Sequence, residues 1–160
     1  MINRLKRFFS LTHHQRWFFL KALAQLNNYY LLLKTNSFKT LLERTKTHSA
    51  ASEDSAVAIS EIEAIRLFRA AVKLVPYAKC LAQALAGHQL FLGYGLSTTL
   101  HIGVSHDPDD GFEAHAWLKR GEIIVTGGLP DLDKYQEIPL DRALSSNQGM
   151  KINRSDNATT

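Results

Sequence analysis

Apolar residues in the first third of the chain recur every three or four positions, a spacing that predicts helices. Thr12-x-x-Gln15 has the form of a capping box and predicts that the first helix runs from there to about Lys34. A second, short helix is expected over residues 38–44, and the small and polar residues over 46–55 predict a linker.

Two more helices are predicted in the middle of the chain. Ser60-x-x-Glu63 is a second capping box, and we expect Pro76 to end the helix that it opens. The apolar positions at helical spacing in this segment are Ile62, Ile65, Phe68, Ala71 and Val72. A run of strong helix formers then predicts a helix with Cys80 in its first turn, closed near Gly93 or Gly95.

The hydrophobic pattern then changes to a period of two, which is typical of β-strands. Strands are predicted over 97–105, 112–119 and 122–126. If Arg120 and Gly121 are the two residues of the second turn, residue 126 lies across from residue 115.

Helices followed by a small antiparallel sheet predict an α+β fold. We expect a basic helical extension and linker over residues 1–56, a catalytic core over 57–145 and a mobile tail over 146–160.

Composition favours a single globular domain in the cytoplasm. Of the 160 residues, 45% are hydrophobic and 21% are charged, close to the average for such domains. The longest apolar region, residues 17–33, is interrupted by polar residues, and no signal peptide is predicted. A single cysteine excludes an internal disulfide and fits a reducing compartment.

Positive charge is concentrated at the front of the chain. Residues 1–50 contain nine Lys or Arg against one acid, Glu43, whereas the remainder contains ten against fourteen acids. This asymmetry favours an acidic partner, an anionic membrane surface or nucleic acid, unless the charges only solvate one face of a core helix. No nucleic-acid-binding motif is present, so no nucleic-acid partner is expected.

Cys80 and His115 are the candidate catalytic pair. A helix N-terminus favours the thiolate form of cysteine, although a lone cysteine is more often a small buried hydrophobe. Glu113, His115 and Trp117 share one face of their strand, and Ala114 and Ala116 on the other face suit packing against the helix of Cys80. A histidine within reach of a helix-start thiol would activate it, whereas a lone strand histidine is more often structural.

The other six histidines have no second ligand at metal spacing. No metal site and no cofactor are therefore expected.

Three motifs in sequence order resemble one family. Cys80-Leu81-x-x-Ala84-Leu85-Ala86, Leu100-His101-Ile102-Gly103-Val104 and Phe112-x-Ala114-His115-Ala116-Trp117 closely resemble the leader peptidases of lasso peptide biosynthesis (the B2 proteins), which have a transglutaminase-like, papain-like cysteine peptidase core. The resemblance covers most of residues 1–130.

The resemblance implies a cysteine peptidase that removes the leader from a ribosomally made lasso precursor, with Cys80 as nucleophile and His115 as general base. It implies three partners: the precursor peptide, a separate leader-binding protein (a RiPP recognition element), and an asparagine-synthetase-like cyclase. A leader-binding domain is not predicted within this chain, because residues 1–56 have the pattern of helices and a linker.

The third catalytic residue is the weakest part of this assignment. Family members with a complete triad have an aspartate about a dozen residues after the histidine, where this chain has Thr126-Gly127-Gly128. We expect Asp131 to serve, with Asp133 or Thr126 as alternatives, or a backbone carbonyl acting alone. Glu113 lies on the same strand face as His115 and is expected to be solvated.

Two other functions fit the same residues. The absent aspartate favours a non-catalytic scaffold that binds precursor or cyclase. The basic front favours contact with a membrane surface, which would make this cytoplasmic protein peripheral to the membrane.

Overall fold

The longest element in the described part of the chain is a helix near its start. A computed structural model describes residues 8–36, 40, 59–107 and 111–139. Helix α1 spans His13–Thr35 and begins at the predicted capping box, in which Gln15 N donates to Thr12 Oγ1 over 3.3 Å and Thr12 N donates to Gln15 Oε1 over 3.0 Å. The predicted short helix over 38–44, apart from Thr40, the linker over 46–55 and the tail over 146–160 lie outside the described residues.

Helix α2 spans Glu61–Val72, and its predicted capping box at Ser60 and Glu63 is confirmed. It ends four residues before Pro76, earlier than expected. Ile62, one of the apolar positions at helical spacing, is 76% exposed. Ala64 and Leu67 are buried instead, so the buried face of the helix is centred away from Ile62.

Helix α3 spans Cys80–Gly93 and lies at the centre of the molecule. It packs against α1, α2 and the sheet, and half of its residues are buried. These buried residues are Ala82, Ala84, Leu85, Ala86, Gly87, Leu90 and Phe91. Because α3 is enclosed on several sides, its sequence is nearly continuously apolar.

The described strands form one antiparallel sheet in the order β3-β2-β1-β4. Strand β1 spans Thr99–Asp107, β2 Gly111–Arg120, β3 Ile123–Thr126 and β4 Gln136–Glu137. A short 3₁₀ helix, Leu132–Lys134, connects β3 to β4, and neither β4 nor this turn was predicted. The described part of the chain is therefore an α+β fold, as expected from the sequence.

The predicted pairing of β2 with β3 was wrong. Arg120 pairs with Ile123, so the turn residues are Gly121 and Glu122 rather than Arg120 and Gly121. A bulge follows, and Leu118 lies opposite Thr126. The bulge allows two consecutive residues, Val125 and Thr126, to be buried together.

Aromatic rings tie the helices into one core. Phe91 of α3 makes edge contacts with Phe18 of α1 at 5.9 Å and with Phe68 of α2 at 5.7 Å between ring centroids. All three rings are fully buried. Helix α1 is thus an integral part of the core, and the predicted domain boundaries at 56/57 and 145/146 lie outside the described residues. Within those residues, no helix has the length and apolar character needed to cross a membrane.

Acid should destabilise the fold through His88. Burial lowers the pKa of His88 from its ordinary value of 6.5, and its Nδ1 lies 2.8 Å from Thr98 Oγ1. The unfolded chain therefore binds a proton that the folded chain resists, so we expect Tm to fall by a few degrees from about pH 7.5 to about pH 5.5. Circular dichroism melts should show a weaker pH dependence for His88→Gln, and an unchanged dependence for His13→Gln at an exposed position.

Candidate active site

Cys80 is the first residue of α3, as predicted. Its side chain is partly buried against the core, and it is the sole cysteine of the chain. The N-cap residue, Lys79, provides no side-chain hydrogen bond to the first turn. The backbone N–H of Cys80 is therefore at a helix start, where amide groups lack intrahelical acceptors and are available to an anion.

His115 is oriented by a backbone carbonyl. Its Nε2 lies 2.7 Å from the carbonyl oxygen of Gly127, which can only accept a hydrogen bond, so Nε2 carries the proton. In the neutral ring Nδ1 is then the basic nitrogen. The ring also packs 5.3 Å from Tyr135 and stacks at 6.1 Å on Trp117.

The position of Gly127 depends on the absence of a side chain. Its φ is +78°, and a Cβ there would lie 2.5 Å from the carbonyl oxygen of Ala116 and 2.8 Å from Trp117 Cα. Glycine therefore lets the chain pass directly against β2. This close approach carries the Gly127 carbonyl to the His115 ring.

Gln83 connects the helix of Cys80 to the strand end beside His115. It lies one turn after Cys80, and its Nε2 donates to the Ala78 carbonyl over 2.7 Å. Its Oε1 accepts a hydrogen bond from Thr126 Oγ1 over 3.0 Å. One side chain therefore joins the loop before Cys80 to Thr126, which directly precedes the Gly127 that orients His115.

A charged network lies next to His115. Lys134 Nζ is 3.1 Å from a carboxylate oxygen of Glu113 and 3.1 Å from one of Asp131. Tyr135 Oη donates to Glu113 Oε2 over 3.0 Å. Glu113, expected to be solvated, is instead half-buried and paired.

These contacts lower the pKa of both carboxyl groups. The hydrogen bond from Lys134 lowers the pKa of Glu113 and of Asp131, and the two carboxylates raise the pKa of Lys134. Burial, with the hydrogen bond to Glu113, raises the pKa of the Tyr135 phenol. At neutral pH the network therefore holds two carboxylates, one ammonium group and a neutral phenol.

Strand β1 supports the same face of the sheet. His101 stacks on Trp117 at 5.4 Å with an interplanar angle of 7°, and its Nδ1 lies 3.0 Å from Glu137 Oε2 of β4. A Cβ on Gly103 would lie 2.8 Å from Tyr135 Cβ, so glycine leaves the space in which Tyr135 reaches His115. Tyr135 and Lys134 were missed in the sequence, where no periodic signal marks them, and the backbone-carbonyl alternative did not single out Gly127.

Cys80 and His115, the predicted catalytic pair, lie on two elements that pack together, but no hydrogen bond joins the two side chains in the described part of the chain. Helix α3, which begins at Cys80, packs on β2, which carries His115. Ala116 is buried as expected, whereas the prediction that Ala114 packs on the helix was wrong because it is exposed.

The candidates for the third residue have other contacts or no contact with the imidazole. Asp131 pairs with Lys134, and Thr126 donates to Gln83. No hydrogen bond joins Asp133 to His115 in the described part of the chain. The acceptor at His115 Nε2 is the Gly127 carbonyl, which corresponds to the backbone alternative. Whether Cys80, His115 and Asp131 are catalytic stays a prediction.

Among the described residues, no group of three or more His, Cys, Asp or Glu side chains is arranged to hold a metal ion.

In the described part of the chain, a helix that begins at a cysteine packs on an antiparallel sheet that carries a histidine. The family model described as the Transglutaminase-like superfamily matches residues 26–139, so the chain belongs to that superfamily. Its members are commonly cysteine-protease-like. Comparisons with curated proteins and with solved structures find no match.

A side chain at position 127 should disrupt the support of His115. Gly127→Ala combines a positive φ with contact against the β2 backbone, so we expect a loss of about 2–5 kcal/mol in the free energy of unfolding. Gly121→Ala is the matched control, because its φ of +54° is strained but no neighbouring atom lies within 4 Å of its Cβ. Denaturant unfolding should give the control a smaller loss of about 1–2 kcal/mol.

Loss of the Gln83 side chain should also destabilise the site. Gln83→Ala leaves the Thr126 hydroxyl and the Ala78 carbonyl without their partner, and Thr126 is only 7% exposed. We expect a loss of about 1–3 kcal/mol in the free energy of unfolding. Gln89→Ala on the same helix is the control and should cost less, because its buried Oε1 has no hydrogen bond to the described residues. Equal losses for the two variants would contradict a specific role of Gln83.

Proposed function

We propose that this protein is a cysteine peptidase that removes the leader from a ribosomally made lasso peptide precursor, with Cys80 as nucleophile and His115 as general base and acid. The proposal rests on the superfamily, on the three sequence motifs around these residues and on one geometric observation. That observation is the hydrogen bond from His115 Nε2 to the Gly127 carbonyl, because it leaves Nδ1 as the proton acceptor.

The first half of the reaction forms an acyl-enzyme. The Cys80 thiol transfers its proton to His115 Nδ1, and the thiolate attacks the carbonyl carbon at the leader–core junction. The resulting imidazolium keeps its Nε2 hydrogen bond to Gly127 and donates the Nδ1 proton to the departing amine. The peptide C–N bond breaks, the core peptide leaves, and the leader remains as a thioester on Cys80.

The second half hydrolyses the thioester. His115 Nδ1 takes a proton from water, whose oxygen attacks the thioester carbonyl, and the proton returns to the sulfur as the C–S bond breaks. Each attack on the carbonyl carbon gives a tetrahedral intermediate with a negatively charged oxygen. The backbone N–H of Cys80 is suited to stabilise both of these oxyanions, because it lies at the start of α3.

The Gly127 carbonyl replaces a carboxylate in this proposal. A carbonyl dipole orients the imidazole but stabilises the imidazolium less than a full negative charge does. A cysteine enzyme tolerates this better than a serine enzyme, because its thiol is more easily ionised at neutral pH. Asp131, bound by Lys134, would act on His115 only through the electrostatic field of its carboxylate. The hydrogen bond from Lys134 is the main cause of the lowered pKa of Asp131, and the positive charge of a protonated His115 contributes to it.

The proposed partners are the precursor peptide, a separate leader-binding protein and an asparagine-synthetase-like cyclase that closes the ring. They follow from the resemblance alone. The core peptide released by cleavage has the free amine that such a cyclase requires.

A second candidate function is a non-catalytic scaffold that binds precursor or cyclase. Two observations favour it. Among the described residues, no carboxylate is hydrogen-bonded to His115, and no hydrogen bond joins His115 to Cys80.

A cleavage assay distinguishes the two functions. The chain is incubated with precursor and leader-binding protein, and the release of leader is followed by mass spectrometry. We expect Cys80→Ala to reduce cleavage to below about one-thousandth of the wild-type rate, with retained fold by circular dichroism. His115→Gln should be similarly impaired, whereas His106→Gln, at an exposed position on β1, should cleave normally.

Asp131→Asn tests the sequence-based third residue in the same assay. Because Asp131 pairs with Lys134 rather than with the imidazole, we expect less than about a tenfold loss, compared with about 10⁴ for the acid of a complete triad.

Normal cleavage by Cys80→Ala would contradict the peptidase. Precursor binding without cleavage by the wild-type chain would favour the scaffold.

A further inference from the structure

The outer face of α1 carries several apolar side chains that the described residues leave exposed. Trp17 is 55% exposed, Leu20 46% and Leu31 58%. With the exposed Ala24 they form one row at spacings of three, four and seven residues, about 21 Å long at the rise of an α-helix. Phe9, 65% exposed, precedes the helix. We call Trp17, Leu20, Ala24 and Leu31 the outer row.

The opposite side of α1 already serves the core. Phe18, Ala22, Leu26 and Tyr29 are buried against α2 and α3. Helix α1 is thus apolar on two sides, of which folding uses one. Exposed aromatic and aliphatic side chains along one side of a helix indicate a binding surface, although the exposed Asn28 lies between Ala24 and Leu31.

The charges that flank the outer row all have one sign. Lys21 lies on one side of it, and Arg16 and Lys34 lie on the other. Residues 8–36 contain no Asp or Glu. Lys21 Nζ lies 5.7 Å from the centroid of the Trp17 ring and 5.2 Å from that of the Tyr94 ring, within the range of a cation–π contact with both.

We propose that α1 lies in the plane of an anionic lipid surface, with the outer row in the headgroup region and the flanking cations against the phosphates. Exposed apolar side chains along one side of a helix, with a tryptophan among them and cations on both sides, match the pattern of interfacial helices. Negative lipid headgroups complement an acid-free helix. This inference does not depend on the proposed peptidase activity.

A second copy of the chain fits this surface less well. Two outer rows packed against each other would bring Arg16, Lys21 and Lys34 of one copy against the same cations of the other. Like charges at an apolar contact oppose association, whereas an anionic membrane is attracted to them.

The two tryptophans provide a direct measurement. Trp17 is exposed and Trp117 is 3% exposed, so a change in emission on adding lipid reports on Trp17. Vesicles rich in phosphatidylglycerol should shift the emission to shorter wavelength and carry the protein in flotation, and both effects should weaken as salt is raised. Phosphatidylcholine vesicles should do neither. Trp17→Phe should lose the spectral shift while retaining flotation.

Surface variants separate the two parts of the proposal. Leu20→Ser with Leu31→Ser, and separately Lys21→Glu with Lys34→Glu, should each lower partitioning into anionic vesicles by more than about tenfold. The matched control, Ile62→Ser with Leu129→Ser, removes exposed apolar side chains outside α1 and should partition normally. Circular dichroism checks that each variant retains the fold.

Three results would overturn the proposal. The absence of flotation with anionic vesicles would leave the outer row to a protein partner. Equal flotation with neutral vesicles would remove the role of the cations. A blue shift that depends on protein concentration and not on lipid would indicate that a second copy covers the row.

Discussion

The packing of α3 against β2 is the contact on which the rest of the structure depends. At Gly87 a Cβ would lie 2.8 Å from a Leu118 methyl and 2.9 Å from the Phe68 ring, so helix and strand approach as closely as a glycine permits. This contact fixes the position and direction of the α3 axis. The axis in turn determines where Cys80, the first residue of α3, lies. Residues that fill the same core therefore also determine how the nucleophile candidate lies relative to the sheet.

The other half of the candidate site depends on the end of β3. A bulge buries Val125 and Thr126 together, Thr126 bonds to Gln83 of α3, and Gly127 then turns against β2 so that its carbonyl meets His115. The acceptor is a backbone atom, so it holds the tautomer of the ring without adding a charge. The acids nearby are compensated by Lys134 instead. This arrangement suits a thiol better than a hydroxyl nucleophile, because a thiol needs less help to ionise.

Features encoded by neighbouring residues were predictable, and those that depend on distant contacts were not. Both capping boxes, the start of α3 at Cys80 and the two long strands follow from local spacing. The predicted pairing of β3 failed because the turn lies one residue later than expected and a bulge adds one more residue, neither of which periodicity reveals. Ile62 and Ala114 have apolar side chains but lie on exposed faces, since burial depends on which elements pack there. The Gly127 carbonyl has no side-chain signature at all.

Helix α1 has an inner face that packs in the core and an outer face that carries exposed apolar side chains and cations. Its inner face must be apolar because it covers α3, and this explains Phe18, Ala22, Leu26 and Tyr29. That demand does not extend to Trp17, Leu20 or Leu31, whose exposure leaves apolar surface in water. Nor does core packing explain why the helix has cations but no acids, since either charge would solvate an outer face equally well. Both features have one physical explanation if the outer face meets a surface that is apolar in depth and anionic at its edge.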